Sequence, residues 1–302
     1  MRIAAVVVTY NRLPLLRRCV ERLLAQSAPC DVLLVDNAST DGTGEWAAAQ
    51  EGIQYRNTGE NLGGAGGFNF GMRWAVEAGY SHVWVMDDDT LPEPDALQRL
   101  LEADALLGGE YGFLSSAALW TDGSPCRMNR QKLHKDFYSG IGLLEHGLIA
   151  AVQATFVSCL FRAEVIERAG LPIREFFIWG DDIEYTRRLA VRMGLPCYIA
   201  GRSRVIHAMK ENNGSSIAGD SAERIARYHY AYRNENYLYR QEGLRGFGYY
   251  TAKCGLNLVR ILMHAKDRRL QRCAVIIREY VCGLAFNPRV ETVRAPQAGT
   301  KE

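Results

Sequence analysis

Three consecutive carboxylates, Asp87-Asp88-Asp89, end the apolar run Trp84-Val85-Met86 and are followed by Thr90-Leu91-Pro92. Adjacent carboxylates repel one another, so such a cluster is costly unless a cation neutralises it. Delivered at the C-terminal end of a strand, where α/β sheets bind ligands, they point to a divalent-metal site. The alternative is a solvated acidic turn, with an Asp capping a helix that begins near Pro94. A second acidic cluster, Trp179-Gly180-Asp181-Asp182-Ile183-Glu184, lies at a predicted helix start. A carboxylate there can serve as general base toward a hydroxyl, or can simply cap the helix and complement its dipole. His207 precedes the polar stretch Lys210–Gly214. Beside two carboxylates a neutral imidazole could complete a metal shell; alone, a His is more often structural or on the surface.

The Gly-rich stretch Asn61-Leu62-Gly63-Gly64-Ala65-Gly66-Gly67 precedes a helical pattern. Its backbone N–H groups could approach a diphosphate, or it could be a flexible loop with a Gly-tolerant helix start. It matches neither GxGxxG nor the P-loop, so a nicotinamide or ATP site is not supported.

These groups need a scaffold. Ile3–Val8 reads as a strand buried on both faces, and Pro14 opens a helix with Leu16, Cys19, Val20 and Leu23 on one side. Further strands are expected at Val32–Val35, Ile53–Arg56 and His82–Met86, with a helix between the last two running to about Ala78. Strands alternating with helices predict a mostly parallel sheet with right-handed crossovers. Thr9-Tyr10-Asn11, Asp36-Asn37 and Asp87-Asp88-Asp89 each follow a predicted strand, so all three face one crevice. Phe113–Leu119 and Ala151–Phe161 are candidate strands, with Thr121–Gly142 a loop or short hairpin between them. Asp182–Met193 reads as a helix, Cys197–Ala200 and Arg204–Ile206 as short strands, and the chain from Ser221 to Phe286 as helical.

Composition bounds the function classes. A hydrophobic share of 48% and a charged share of 23% are those of a globular protein, and a net charge of +2 gives no polyelectrolyte signal for nucleic acid. No apolar run reaches the roughly 18–20 residues of a membrane span, and the N-terminus lacks a signal-peptide pattern. The eight Cys are scattered without a CxxC pair, which argues against zinc and for reduced thiols in a cytoplasmic protein.

The C-terminal third combines Tyr228, Tyr230, Tyr232, Tyr237 and Tyr239 with many Arg. Between Arg260 and Arg278 lie six basic residues and one acid, Asp267, interleaved with apolar positions. A basic amphipathic helix can lie on an anionic membrane, placing the protein on the inner face of the cell membrane. Equally, the region could be a packing module or homo-oligomer interface with a solvated basic face.

Taken in order, Val7-Val8-Thr9-Tyr10-Asn11-Arg12, Val35-Asp36-Asn37-Ala38-Ser39-Thr40-Asp41-Gly42, the Asn61–Gly67 stretch, Asp87-Asp88-Asp89, Trp179-Gly180-Asp181-Asp182 and His207 resemble the inverting family-2 glycosyltransferases of the GT-A fold. The resemblance covers roughly residues 1–215 and is strongest to the galactofuranosyltransferase and rhamnosyltransferase branch. It implies a GT-A-like, Rossmann-type catalytic domain over residues 1–218; beyond it the residue pattern itself gives a helical region over 219–286 for acceptor, membrane or oligomer contacts and a flexible tail over 287–302. It implies that Thr9, Asn11, Arg12 and Asp36 hold the nucleotide, and that Asn61, Gly63 and Gly64 pass near the diphosphate or donor sugar. Asp87 and Asp88 would contact the ribose or sugar, with Asp89 and His207 as ligands of Mn²⁺ or Mg²⁺. Asp182 or Asp181 would be the base; the added Gly180 leaves the choice between them open. Trp179 would floor the sugar or pack in the core.

The function implied is transfer of a sugar from a nucleotide-sugar donor, foremost UDP-galactofuranose, to a cell-surface polysaccharide or lipid-linked glycan. A dTDP-rhamnose donor fits the same machinery. A nucleotidyltransferase would want a basic Gly-rich loop near the N-terminus, where Thr9–Leu15 offers only Arg12. A non-catalytic sugar-nucleotide-binding or scaffolding subunit would have no need of a positioned base.

Overall fold

The first strand of the computed structural model, β1 (Ile3–Thr9), is buried along its whole length, and its side chains alternate between two cores. Ala4, Val6 and Val8 face one apolar cluster while Ile3, Ala5 and Val7 face the other, as the period of two requires. The structure describes residues 1–296.

Around β1 the chain forms β2 (Asp31–Asp36), β3 (Ile53–Asn57), β4 (His82–Asp87), β5 (Thr90–Pro92), β6 (Leu114–Leu119), β7 (Lys132–Leu133), β8 (Leu148–Gln153), β9 (Cys159–Arg162) and β10 (Tyr198–His207). The helices are α1 (Leu13–Leu24), α2 (Thr43–Ala48), α3 (Gly63–Glu77), α4 (Ala96–Leu106), α5 (Ala163–Ala169), α6 (Asp181–Arg187), α7 (Tyr228–Arg240), α8 (Gly243–His264) and α9 (Arg269–Ala285). The strand order is β3-β2-β1-β4-β9-β6-β10-β8-β7, with β5 paired to β10. The first four strands in that order are parallel, as predicted. Beyond them the sheet is mixed, because β9 enters antiparallel to both β4 and β6. The expected Ala151–Phe161 strand is two strands, β8 and β9, separated by five residues.

The Gly-rich stretch is not a loop. Gly63–Gly67 forms the first turns of α3, and its glycines let the helix sit close to the sheet. A Cβ on Gly67 would lie 2.4 Å from Val8 Cγ1, and one on Gly71 would lie 2.4 Å from Val6 Cγ1.

Residues 219–286 are helical as expected, but as three packed helices after a short 3₁₀ turn at Ala222–Arg227. Both α8 and α9 pack on α7 around a third cluster that includes Tyr232, Tyr250, Ile261 and Ile276. Residues 287–296, expected to begin a flexible tail, lie against the α/β layer instead. Glu291 accepts from Arg73 at 2.6 Å, its carbonyl accepts from the Leu171 N–H at 2.8 Å, and Val293 is buried. The rest of that expected tail, residues 297–302, lies outside the described residues.

Candidate active site

Register brings the strand ends together. Thr9 pairs with Asp36 across β1 and β2, and Val8 pairs with Asp87 across β1 and β4. Antiparallel pairing of β5 with β10 sets His207 opposite Thr90, and the Ala208 N–H donates to the Asp89 carbonyl at 2.8 Å. The imidazole thereby reaches a carboxylate distant in sequence: His207 Nε2 lies 2.9 Å from Asp89 Oδ1.

The three adjacent carboxylates do not act as one group. Asp87 and Asp89 join His207 in a cluster whose ligating atoms all lie within 4.8 Å of one another. Asp88 turns away, accepting from Thr9 Oγ1 at 2.8 Å and from Arg12 Nη1 at 3.2 Å. The same Arg12 nitrogen lies 2.6 Å from Asp89 Oδ2. Two carboxylates and an imidazole are a donor set that fits Mn²⁺ or Mg²⁺. The carboxylates are also electrostatically frustrated without a cation. Burial, helped by the charge of Asp89, pushes Asp87 up to about 7, and burial pushes Asp88 up to about 6. Burial also acts to raise Asp89, but the hydrogen bond and charge of His207, with the charge of Arg12, hold it below the usual carboxylate value.

His207 is oriented from behind. Its Nδ1–H donates to Asn129 Oδ1 at 2.7 Å. Burial acts to lower the imidazole, but the hydrogen bonds to Asp89 and Cys126 and the charges of Asp89 and Asp87 push it up to about 10, so without a cation Nε2 also carries a proton toward Asp89, which a metal would displace. Asn129 is itself held by Thr155 Oγ1 at 3.0 Å, and the Cys126 thiol donates to Asn129 Oδ1 at 2.9 Å. Neither Asn129 nor Cys126 is visible as a site residue in the sequence, because both lie in the aperiodic polar stretch after Trp120.

The second acidic cluster opens α6, after a backbone turn with positive φ at Phe177, Trp179 and Gly180. Such strain persists only where surrounding contacts over-determine it. Here the Asn234 amide nitrogen on α7 lies 3.0, 3.2 and 2.8 Å from the carbonyls of Phe176, Ile178 and Trp179. The Ala65 N–H of α3 donates to the Phe177 carbonyl at 3.1 Å. Asp181 is buried, whereas Asp182 is only half-buried and accepts from the Ile183 N–H at 2.7 Å. Burial raises both: Asp182 to about 6, and Asp181, with the charges of Asp182 and Asp87 added, well above the usual range. The charge of Asp182 in turn contributes to raising Asp87, so the two clusters lie within electrostatic reach of each other. Trp179 sits edge-on to Tyr228 at 5.0 Å, packed against the helical region.

The remaining expected donor-binding residues line the crevice in varied ways. Thr9 is buried beneath Asp88, and Asn11, at φ 53°, accepts from the Thr40 N–H at 2.7 Å. Asp36 is fully buried, accepting from the Ser39 N–H at 2.8 Å and the Tyr55 hydroxyl at 2.9 Å. Asn61 caps the Gly63 N–H at 2.9 Å. The Gly63 and Ala65 N–H groups are engaged internally, and Gly64 has open space around it in the first turn of α3.

Comparison with known proteins agrees with this arrangement. The family model Glycosyl transferase family 2 matches residues 4–105. Galactofuranosyltransferase GlfT1 of Mycobacterium tuberculosis strain H37Rv is 31% identical over 263 residues, covering 80% of this chain and 83% of that enzyme. The chain belongs to glycosyl transferase family 2. This glycosyltransferase is also 29% identical over 299 residues to the GlfT1 of Mycolicibacterium smegmatis, covering 89% of this chain and 96% of that one. Its GT-A-type fold is similar to that of the mannosyltransferase PcManGT from Pyrobaculum calidifontis, solved with GDP-Man and Mn²⁺. The TM-score is 0.58 at 20% identity, covering 95% of this chain and 76% of that one.

Proposed function

We propose that this glycosyltransferase moves galactofuranose from UDP-galactofuranose to a hydroxyl of a growing cell-envelope glycan, free or lipid-linked. The observation that carries the reading is the cluster of Asp87, Asp89 and His207, with the half-buried Asp182 near enough for its charge to act on Asp87. The galactofuranosyltransferase names of relatives matched over most of the chain support the donor.

A divalent cation held by Asp87, Asp89 and His207 would offset the charge of the diphosphate and of the departing nucleotide. Thr9, Asn11, Arg12 and Asp36 line the nucleotide side, with Arg12 able to exchange its carboxylate partners for phosphate oxygens. Asp88 positions Arg12, and Gly64, with open space around it, can meet the donor. Asp182 takes the proton of the acceptor hydroxyl as its oxygen attacks the anomeric carbon. The bond from that carbon to the diphosphate oxygen breaks, UDP leaves, and the anomeric configuration inverts. A carboxylate raised to about 6 remains ionised near neutrality and is a stronger base than a solvated one. Asp181, more deeply buried, fixes the start of α6.

Calorimetric titration with UDP, dTDP and their galactofuranose and rhamnose conjugates, with and without Mn²⁺, tests the reading. Metal-dependent preference for UDP-galactofuranose supports it; preference for dTDP-rhamnose replaces the donor, and no binding of any conjugate overturns it.

A further inference from the structure

The α8–α9 hairpin carries an apolar surface that no part of the described chain covers. Leu256, Val259 and Met263 on α8, and Leu270, Ile277 and Val281 on α9, are each more than half exposed. Their spacing puts them on one stripe per helix, opposite the residues packed inward, which are Tyr250, Cys254 and Ile261 on α8 and Val275, Ile276 and Glu279 on α9. Surface stripes of this size are interaction sites more often than chance exposure.

Charge decides the partner. The connection between the helices exposes Lys266, Arg268 and Arg269, and Arg260 and Arg278 flank the stripes. The α8 sequence has no acidic residue, and the two acids between residues 243 and 285 are already engaged. Asp267 pairs with the buried Arg272, and the largely buried Glu279 lies 2.7 Å from His229 Nδ1. Among the described residues, Lys266, Arg268 and Arg269 have no ion-pair partner. A second copy docking by two-fold symmetry would set cations against cations. An anionic lipid surface instead offers phosphate to the cations and acyl chains to the stripes.

We infer that the outer face of the α8–α9 hairpin docks this enzyme on anionic membrane. No helix among the described residues is long and apolar enough to cross a membrane, so the contact is peripheral. Both helices pack on α7, which holds the turn leading into Asp181 and Asp182, so docking would present the active site at the lipid surface. The inference rests on the hairpin's own residues and not on the donor's identity.

Flotation of the full chain with phosphatidylcholine vesicles, with and without phosphatidylglycerol, tests it. Wild type should float with anionic vesicles and be released by salt. Lys266→Glu/Arg268→Glu/Arg269→Glu should weaken partition by on the order of a hundredfold. Leu256→Ser/Ile277→Ser should weaken it by about tenfold or more at low salt. Both variants should keep the wild-type circular dichroism melt and donor hydrolysis. Absence of wild-type flotation overturns the inference, as does flotation indifferent to either variant. A wild-type dimer made monomeric by Leu256→Ser/Ile277→Ser, without vesicle binding, would assign the face to a second copy instead.

Discussion

Asp182 and Asp181 are neighbours in sequence that differ in exposure, and the proposed mechanism gives them different tasks on that ground. A base must reach its hydroxyl, and Asp182 is the more exposed of the two. Asp182→Asn should keep donor affinity and lose transfer by on the order of a hundredfold or more. If Asp181→Asn alone shows that separation, the base is Asp181. The rate should also fall with unit slope as pH drops through about 6, since the base must be ionised; a flat profile between pH 5 and 8 would count against a carboxylate base. At the metal cluster, Asp89→Ala should abolish Mn²⁺-dependent binding of the nucleotide, and unchanged binding would remove Asp89 from the ligand set. The raised carboxylates carry a linked stability effect. Asp87 at about 7 and Asp88 at about 6 titrate above the usual carboxylate value, so between about pH 4 and 7 the folded state holds protons that the unfolded chain has released. Their contribution therefore falls as pH rises through that window. A cation that binds the ionised ligands should raise Tm more at pH 8 than at pH 5; an equal rise at both would separate the metal from these carboxylates.

At the scale of elements, α3 owes its position to missing side chains. Gly67 and Gly71 are one turn apart, and both press against β1. Gly71→Ala should destabilise the protein by about 1–2 kcal/mol, because steric crowding against Val6 and Val35 outweighs the alanine helix preference. A denaturation midpoint above wild type would mean the helix can shift and that this close approach is not required. The short β5 has a comparable role for the site, since its pairing with β10 holds Asp89 beside His207. The parallel half of the sheet was legible because its buried runs alternate with amphipathic helices. The antiparallel entry of β9 was not legible, because a short apolar strand carries no mark of its direction.

Across the whole molecule, the helical region is joined to the chemistry. Asn234 fastens the Phe176–Trp179 turn, and Arg187 of α6 makes a paired ion bridge to Glu242 at 2.6 and 2.7 Å, with both side chains nearly buried. Asn234→Ala should lower transfer more than tenfold while leaving UDP affinity within about twofold, because it frees the turn that aims Asp182 and touches nothing on the nucleotide side. Equal losses in both measurements would point to general unfolding, which circular dichroism would detect. The 287–296 segment adds a second tie by bonding Glu291 to Arg73 on α3. The C-terminal region therefore fastens the turn that opens α6, beside the proposed base, and also carries the proposed docking face.

Sequence alone determined the reaction class and offered the candidate residues that the proposed mechanism uses. Strand ends announce themselves by the change from apolar runs to Asp, Asn and Thr, and sheet topology sends such ends to one edge. The order of those motifs was enough to point to the family. Tertiary structure alone decided how Asp87, Asp88 and Asp89 divide. The chain turns at Asp88-Asp89 between β4 and β5, so that Asp87 and Asp89 join His207 while Asp88 is directed to Thr9 and Arg12. Only the structure supplied Asn129 behind His207 and Asn234 behind the Asp182 turn. Each acts across a separation of more than fifty residues, and no local pattern encodes a contact made by distant backbone meeting in space.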